Sequence, residues 1–344
     1  MRERLEGLRR ELEGRGLGAC LVLRYQRYFS GTSAGAAVLI RTEGKPLLFC
    51  SRMELERARR ESPLSPVPYD PMKGEELWKV VGREVRGERR LAYDEASSSF
   101  LRKLREKEGV RLLKLRGFFE EFCERKTEKE IGWMRKAAEM ALRGMRCASE
   151  LMEVGRSERE IAAEVEYEMR RAGSEGTPFT TIVASGRNSL LPHATSTEKK
   201  LRRGELVVVD LGAIHRGYCS DLTRTFALHP SPKQERLLRA VREAQLSALE
   251  RVRAGRRAGE VEEAAEERLR REGYGTCLLH GVGHGVGLEV HEPPSLRPGS
   301  KDLLRENAVI TLEPGAYVPG VGGARWEDMV VVRREGGALL SGGL

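Results

Sequence analysis

The stretch LVVVDLGAIHRGYCSDLTRTF (Leu206–Phe226) decides how the second half of the chain folds. Asp210 falls late in one apolar strand, a turn-like Ile-His-Arg-Gly follows, and Asp221 falls early in the next strand. Strand formers flanking a glycine-containing turn read as an antiparallel hairpin, which sets the two carboxylates side by side. The plan returns in VITLEPGAYVPGVGGARWEDMVVV (Val309–Val332), with Glu313 late in one strand, a Pro/Gly-rich turn, and Glu327 early in the return strand. The two units read as halves of a pseudo-symmetric sheet, each delivering a carboxylate pair.

Unpaired charge is expensive to bury, so carboxylates in apolar strands need partners. Either each meets an arginine on a neighbouring element, or together they hold cations. For two matching hairpins the first alternative needs four separate coincidences. An imidazole is available in LLHGVGHGVGLEVHEPP (Leu278–Pro294), which carries His280, His284 and His291 among four glycines at alternate positions. Oxygen ligands with a single histidine suit Mn, Co, Fe or Zn as divalent ions. Four carboxylates balance about two such ions and leave room for a bridging hydroxide, an arrangement that hydrolyses amides or phosphates. A phosphate-cradling role for the glycines fits poorly: the fingerprint spacing is absent and the prolines of HEPP stop any helix that would follow.

The remaining sequence supplies a frame for these hairpins. Thr127 with Glu130, Ser157 with Glu160, and Ser231-Pro232 with Gln234 are helix-start signatures, and a fourth helix runs near Gly259 to Arg271. Helices clustered between strand pairs define an α+β domain over residues 125–344. Residues 1–124 alternate helical and strand-like segments (an N-terminal helix repeating Leu5, Leu8 and Leu12, then GACLVL, AAVLI and PLLF) and read as a smaller α/β domain with its own core.

Composition narrows the function. The 344 residues are 40% hydrophobic and 33% charged, with no apolar run of membrane-span length and a charged, helical start unlike a signal peptide. A cytoplasmic enzyme with neither a membrane nor a nucleic-acid partner is expected. The net charge of +9 arises from 61 Lys+Arg against 52 Asp+Glu. These mostly alternate along helix faces and do not form a basic patch. Six scattered cysteines without C-x-x-C spacing read as reduced, mostly buried thiols.

Five residues in this order and context, Asp210, Asp221, His284, Glu313 and Glu327, resemble the ligand set of the pita-bread metallopeptidases, the family of methionine aminopeptidases, Xaa-Pro aminopeptidases and Xaa-Pro dipeptidases. PHATST, VVVDLGA, HGVGHGVGLEVHE, TLEPGAY and GARWEDMVVV carry the likeness. It implies a pita-bread catalytic domain behind a creatinase-type N-terminal domain, and two divalent metal ions. Asp210 would hold one ion, His284 and Glu313 the other, and Asp221 and Glu327 would bridge them. Glu313 would also shuttle the proton of the bridging water, while His193 and His291 would hydrogen-bond the scissile amide and the tetrahedral intermediate. Apart from the resemblance, His193 reads as a loop histidine and His291 as a turn cap. His280 is either a pocket wall or a packed imidazole. His215 and His229 read as surface residues, Tyr317 and Trp326 as core.

The separate N-terminal domain, HEPP, and Arg325 two residues before the last glutamate resemble the proline-specific branch, closest to Xaa-Pro dipeptidases. Arg325 either orients substrate or pairs with the buried acids. The implied substrate is a proline-containing dipeptide or short peptide and the implied assembly a homodimer. An Xaa-Pro aminopeptidase acting on longer peptides is the alternative; a non-catalytic binding relative would have lost ligands. One departure stands in RYQRYFSGTSAG: Tyr28, Ser30 and Gly31 are kept, but no Asn-Ile-Arg precedes them and Thr32 replaces an aromatic.

Overall fold

The computed structural model describes residues 2–115 and 117–341, which divide into two compact units between Cys123 and Glu124. In the first unit, helices α1 (Arg2–Gly14), α2 (Gln26–Ser30), α3 (Leu55–Glu61), α4 (Leu77–Val85) and α5 (Ser98–Glu108) surround one mixed sheet; α6 (Phe118–Glu124) runs across the boundary. The strands are β1 (Ala19–Val22), β2 (Ala37–Arg41), β3 (Leu47–Ser51), β4 (Ser65–Tyr69), β5 (Arg90–Tyr93) and β6 (Arg111–Lys114), in the order β4-β3-β2-β1-β5-β6. Leu21, Leu39 and Phe49 from the sheet meet Val81, Val85 and Leu104 from the helices in one core. The strand β4 falls where no strand signal is legible, because Pro66 and Pro68 lack donors; its place at the sheet edge leaves that side free of a ladder. Thr32 is buried in local structure, its hydroxyl donating to Glu61 and accepting from the Ala34 amide.

The second unit is built twice over from a helix pair and a sheet. Helices α7 (Glu128–Glu150) and α8 (Glu158–Arg171) cover β7 (Ile182–Ser185), β8 (Glu205–Leu211) and β11 (Leu222–Leu228). Two short strands, β9 (Ile214–His215) and β10 (Tyr218–Cys219), close the tip between β8 and β11. Helices α9 (Pro232–Leu249) and α10 (Ala258–Arg271) cover a second sheet, ordered β13-β12-β14-β17-β18. Its strands are β12 (Gly283–Gly285), β13 (Glu292–Leu296), β14 (Val309–Leu312), β17 (Asp328–Val332) and β18 (Gly337–Leu339); β15 (Gly315–Val318) and β16 (Gly322–Arg325) form a separate ribbon. Reciprocal capping boxes open α7, α8 and α9 at Thr127/Glu130, Ser157/Glu160 and Ser231/Gln234. Each such cap is worth about 1 kcal/mol.

Side-chain alternation places the acids. Val207, Val209 and Leu211 of β8 face α7 and α8, so Asp210 lies on the other face. Ile310 and Leu312 of β14 face α9 and α10, so Glu313 likewise turns away from its helices. The carboxylates therefore gather between the two sheets.

One buried acid lies elsewhere. Glu262 on α10 is 1% exposed, and neither carboxylate oxygen has a hydrogen-bond partner among the described residues. Burial first, then Glu266 and Glu263, pushes it up to about 7. Its folded value exceeds the usual 4.5, so the folded state holds more protons and stability is lost as pH rises through that window. Glu262→Gln is expected to raise Tm by roughly 2–4 °C at pH 8 and hardly at all at pH 5, as relief of an unpaired buried carboxylate requires. Calorimetry at the two pH values checks it; equal shifts would reject the electrostatic account.

Candidate metal centre and active site

The ladder of β8 with β11 pairs Asp210 with Thr223 and Leu211 with Leu222, and the tip pairs Ile214 with Cys219 in the same register. Asp221 thus lies two residues before Asp210's partner, on the same face. The pair is diagonal, one step off the side-by-side placement that the hairpin pattern predicts, and still within reach. Gly212 makes the approach feasible, since a Cβ there would sit 2.2 Å from the Ser220 carbonyl oxygen. In the second hairpin Leu312 pairs with Asp328 and Gly315 with Arg325. That constant register sets Glu313 directly across from Glu327.

His284 enters from β12. A regular strand puts His284 and His291 on opposite faces, being seven residues apart. The register slips between His284 and Gly285, the chain turns back through Val286–Val290, and the two imidazole rings end with centroids 4.3 Å apart. The glycines permit close backbone contact here: a Cβ on Gly283 would lie 2.1 Å from the Thr311 carbonyl oxygen, and one on Gly285 2.0 Å from that of Pro293.

The result is one cavity of about 670 Å³ lined by all nine candidate residues: His193, Asp210, Asp221, His280, His284, His291, Glu313, Arg325 and Glu327. His284 Nε2 lies 3.5 Å from Glu313 Oε1 and 3.7 Å from Asp221 Oδ2. One ligand atom each from Asp221, His284 and Glu327 fall within 4.8 Å of one another. His284 Nδ1 lies 3.0 Å from the Gly285 carbonyl oxygen, the contact of a donated N–H, which leaves the Nε2 lone pair facing the carboxylates. Asp210 Oδ1 and Glu327 Oε1 are buried with no hydrogen-bond partner among the described residues. Such orphaned oxygens, on residues that line an acidic cavity, fit a bound cation.

The electrostatics agree with that fit. Burial, followed by repulsion from the neighbouring carboxylates, holds Asp221 and Glu327 well above the usual carboxylate range. Glu313 is pushed up to about 8, chiefly by burial. Burial also lowers His284 to about 4, so it stays neutral and able to ligate. Without compensating positive charge the cluster must take up protons.

Arg325 supplies part of that charge. Its Nη2 donates to Asp210 Oδ2 at 2.6 Å and its Nη1 to Tyr317 Oη at 2.8 Å. Thr223 Oγ1 accepts from Arg325 Nε and donates to Glu327 Oε2 at 2.8 Å. Of the two roles left open for Arg325, pairing with the acids is the one this geometry displays. His280 Nε2 lies 2.9 Å from Tyr317 Oη, so His280 belongs to the same chain of contacts while also lining the cavity. Tyr317 is buried, in keeping with a core residue, yet it links His280 to Arg325, a role its apolar sequence context conceals. His193 and His291 are exposed at the cavity wall, where a ligand can reach them. His229 is exposed and His215 half-buried, both outside the cavity lining; Trp326 packs between Arg224 and Arg242. All six cysteines are free thiols, and no described helix is long and apolar enough to cross a membrane.

Comparison with known proteins agrees with this architecture. Residues 132–334 match metallopeptidase family M24, and residues 4–122 match the creatinase/prolidase N-terminal domain. An Xaa-Pro dipeptidase of Pyrococcus furiosus is 37% identical over 99% of this chain and 98% of its own length. The crystal structure of the prolidase from Pyrococcus horikoshii superposes with a TM-score of 0.91 at 34% identity, covering 99% of both chains. That of an X-Pro aminopeptidase from Thermotoga maritima gives 0.88 at 33% identity over 96% of each chain. Doubled helix-pair-and-sheet architecture around a buried acidic cavity defines a pita-bread metallopeptidase. Within that class, the chain belongs to metallopeptidase family M24 and carries the creatinase/prolidase N-terminal domain.

Proposed function

We propose that this protein hydrolyses the Xaa-Pro bond of dipeptides, using two divalent ions held by Asp210, Asp221, His284, Glu313 and Glu327. The observation that carries this reading is the convergence of those five side chains, with two orphaned carboxylate oxygens, in one cavity. Bound there, the ions supply Lewis acidity to the scissile carbonyl and lower the pKa of water. The side chains do the rest. Glu313 accepts the proton of the attacking water and returns it to the departing nitrogen. In an Xaa-Pro bond that nitrogen carries no hydrogen, so it leaves only once protonated. His193 and His291 hydrogen-bond the amide and the oxygen on which negative charge develops. Arg325, held by Tyr317 and Thr223, keeps Asp210 oriented.

Arg297 favours the dipeptide. It lines the same cavity and has no carboxylate partner within ion-pair distance among the described residues, so a cation is left for the terminal carboxylate of proline. The aminopeptidase of the same fold makes chain length the point to test. Metal-loaded protein is expected to cleave Met-Pro and Leu-Pro at least tenfold faster, by kcat/KM, than Xaa-Pro-Yaa tripeptides. Cleavage of the tripeptide alone would replace the dipeptidase assignment with an aminopeptidase.

A further inference from the structure

Among the described residues Lys126 is the one lysine in the set of largest fully buried side chains, and it lies at the start of the second unit, remote in sequence from every cavity residue. Its Nζ donates to Glu292 Oε2 at 2.7 Å, with the two side chains 0% and 8% exposed. A buried ammonium–carboxylate pair is costly to desolvate and is a weak source of stability in itself. Its geometry suggests a different purpose. Glu292 follows His291 directly and lines the cavity. Its second oxygen, Oε1, accepts the Glu289 amide at 3.1 Å. One carboxylate therefore clamps both ends of the turn that presents His291. At its other end the clamp is tied down, because the Lys126 amide donates to the Asn307 carbonyl oxygen at 3.0 Å. The His291 ring itself lies exposed beside His284, and among the described residues no side chain hydrogen-bonds it. Its location follows from the backbone that Glu292 holds.

We propose that Lys126 and Glu292 are positioning residues for His291, the buried ion pair fixing the Glu289–Glu292 turn so that the imidazole meets the reacting amide. This rests on the peptidase reading above, in which His291 stabilises developing charge. A group that acts only when charge develops affects kcat more than KM. Displacing such a group by about 1 Å costs on the order of 100-fold in rate.

The test uses full-length, metal-loaded protein and three variants. Lys126→Met removes the ammonium and leaves a buried carboxylate, so it risks misfolding. Lys126→Met/Glu292→Gln removes both charges and relieves that risk. Glu292→Gln alone retains one acceptor oxygen where the clamp uses two. On Leu-Pro, the double variant is expected to lose at least tenfold in kcat, with KM within about threefold of the parent and unchanged metal content. Hydrogen exchange should quicken in peptides spanning residues 286–292 and not in α7 or α9. A purely structural pair predicts the opposite: neutralising both charges restores kcat. Parental kcat in the folded double variant, or unaltered exchange over 286–292, would overturn the proposal. The exchange arm needs no turnover, so it separates this inference from failure of the peptidase reading, which an inactive metal-loaded parent would reveal.

Discussion

Glu313→Gln is expected to lower kcat on an Xaa-Pro dipeptide by about 1000-fold while the dipeptide still binds. Glutamine preserves the shape of the side chain and one oxygen, but it cannot accept a proton. The parent carboxyl is suited to that task. It stands 3.5 Å from His284 Nε2 and lines the cavity where water and amide would meet. Because Glu313 also serves as a ligand in this reading, metal content must be measured in the same preparation. A variant that retains its metal, binds Leu-Pro in calorimetry and turns over at below about one part in a thousand supports the base role. Turnover within a few-fold of the parent at full metal content would remove Glu313 from it.

How much of this site was legible in the sequence depends on the kind of interaction. Period-2 alternation around Asp210 and Glu313 is a local signal, and it places both acids on the faces away from their helix pairs. Register is not local. Glu313 opposes Glu327, whereas Asp210 opposes Thr223 with Asp221 offset, and only the pairing of whole strands decides which. Strands β4 and β13 each contain two prolines and carry no strand signal; both lie at sheet edges, where a missing donor costs little. The slip beside His284 is legible as a need, because two histidines seven apart cannot share a face of a regular strand. Its location between His284 and Gly285 depends on how β12 pairs with β13, where the Gly285 backbone passes close to Pro293, and no local pattern marks it. Tyr317 lies in TLEPGAY, but nothing there marks its hydroxyl as a partner for Arg325, and Thr223 and Lys126 carry no local mark of their roles. Thr223 and Lys126 join the site through hydrogen bonds spanning 104 and 166 residues, distances at which composition and periodicity say nothing.

Exhaustive chelation is expected to abolish peptidase activity, with restoration by Mn²⁺ or Co²⁺, and to leave a protein whose stability depends on pH in a particular direction. Asp221, Glu313 and Glu327 all have folded values raised above their usual range. Such groups hold more protons folded than unfolded, so without metal they favour the folded state below about 4.5 and lose that contribution as pH rises through the folded value, about 8 for Glu313. The metal-free protein should therefore melt at progressively lower temperature between those limits. Divalent cations reverse the trend, because they bind the ionised carboxylates of the folded state alone. Saturation at a thousand times Kd contributes about 4 kcal/mol. For a chain of this size that is a Tm rise on the order of 10 °C. The gain should be large at pH 8 and small at pH 5, where protons compete for the same oxygens. The slope in the metal-free protein should flatten in Glu313→Gln, which separates this cluster from other titrating groups. Activity persisting after complete metal removal would reject the hydrolytic mechanism. A metal-induced Tm shift equal at both pH values would instead reject the buried carboxylates as the place where the cations bind.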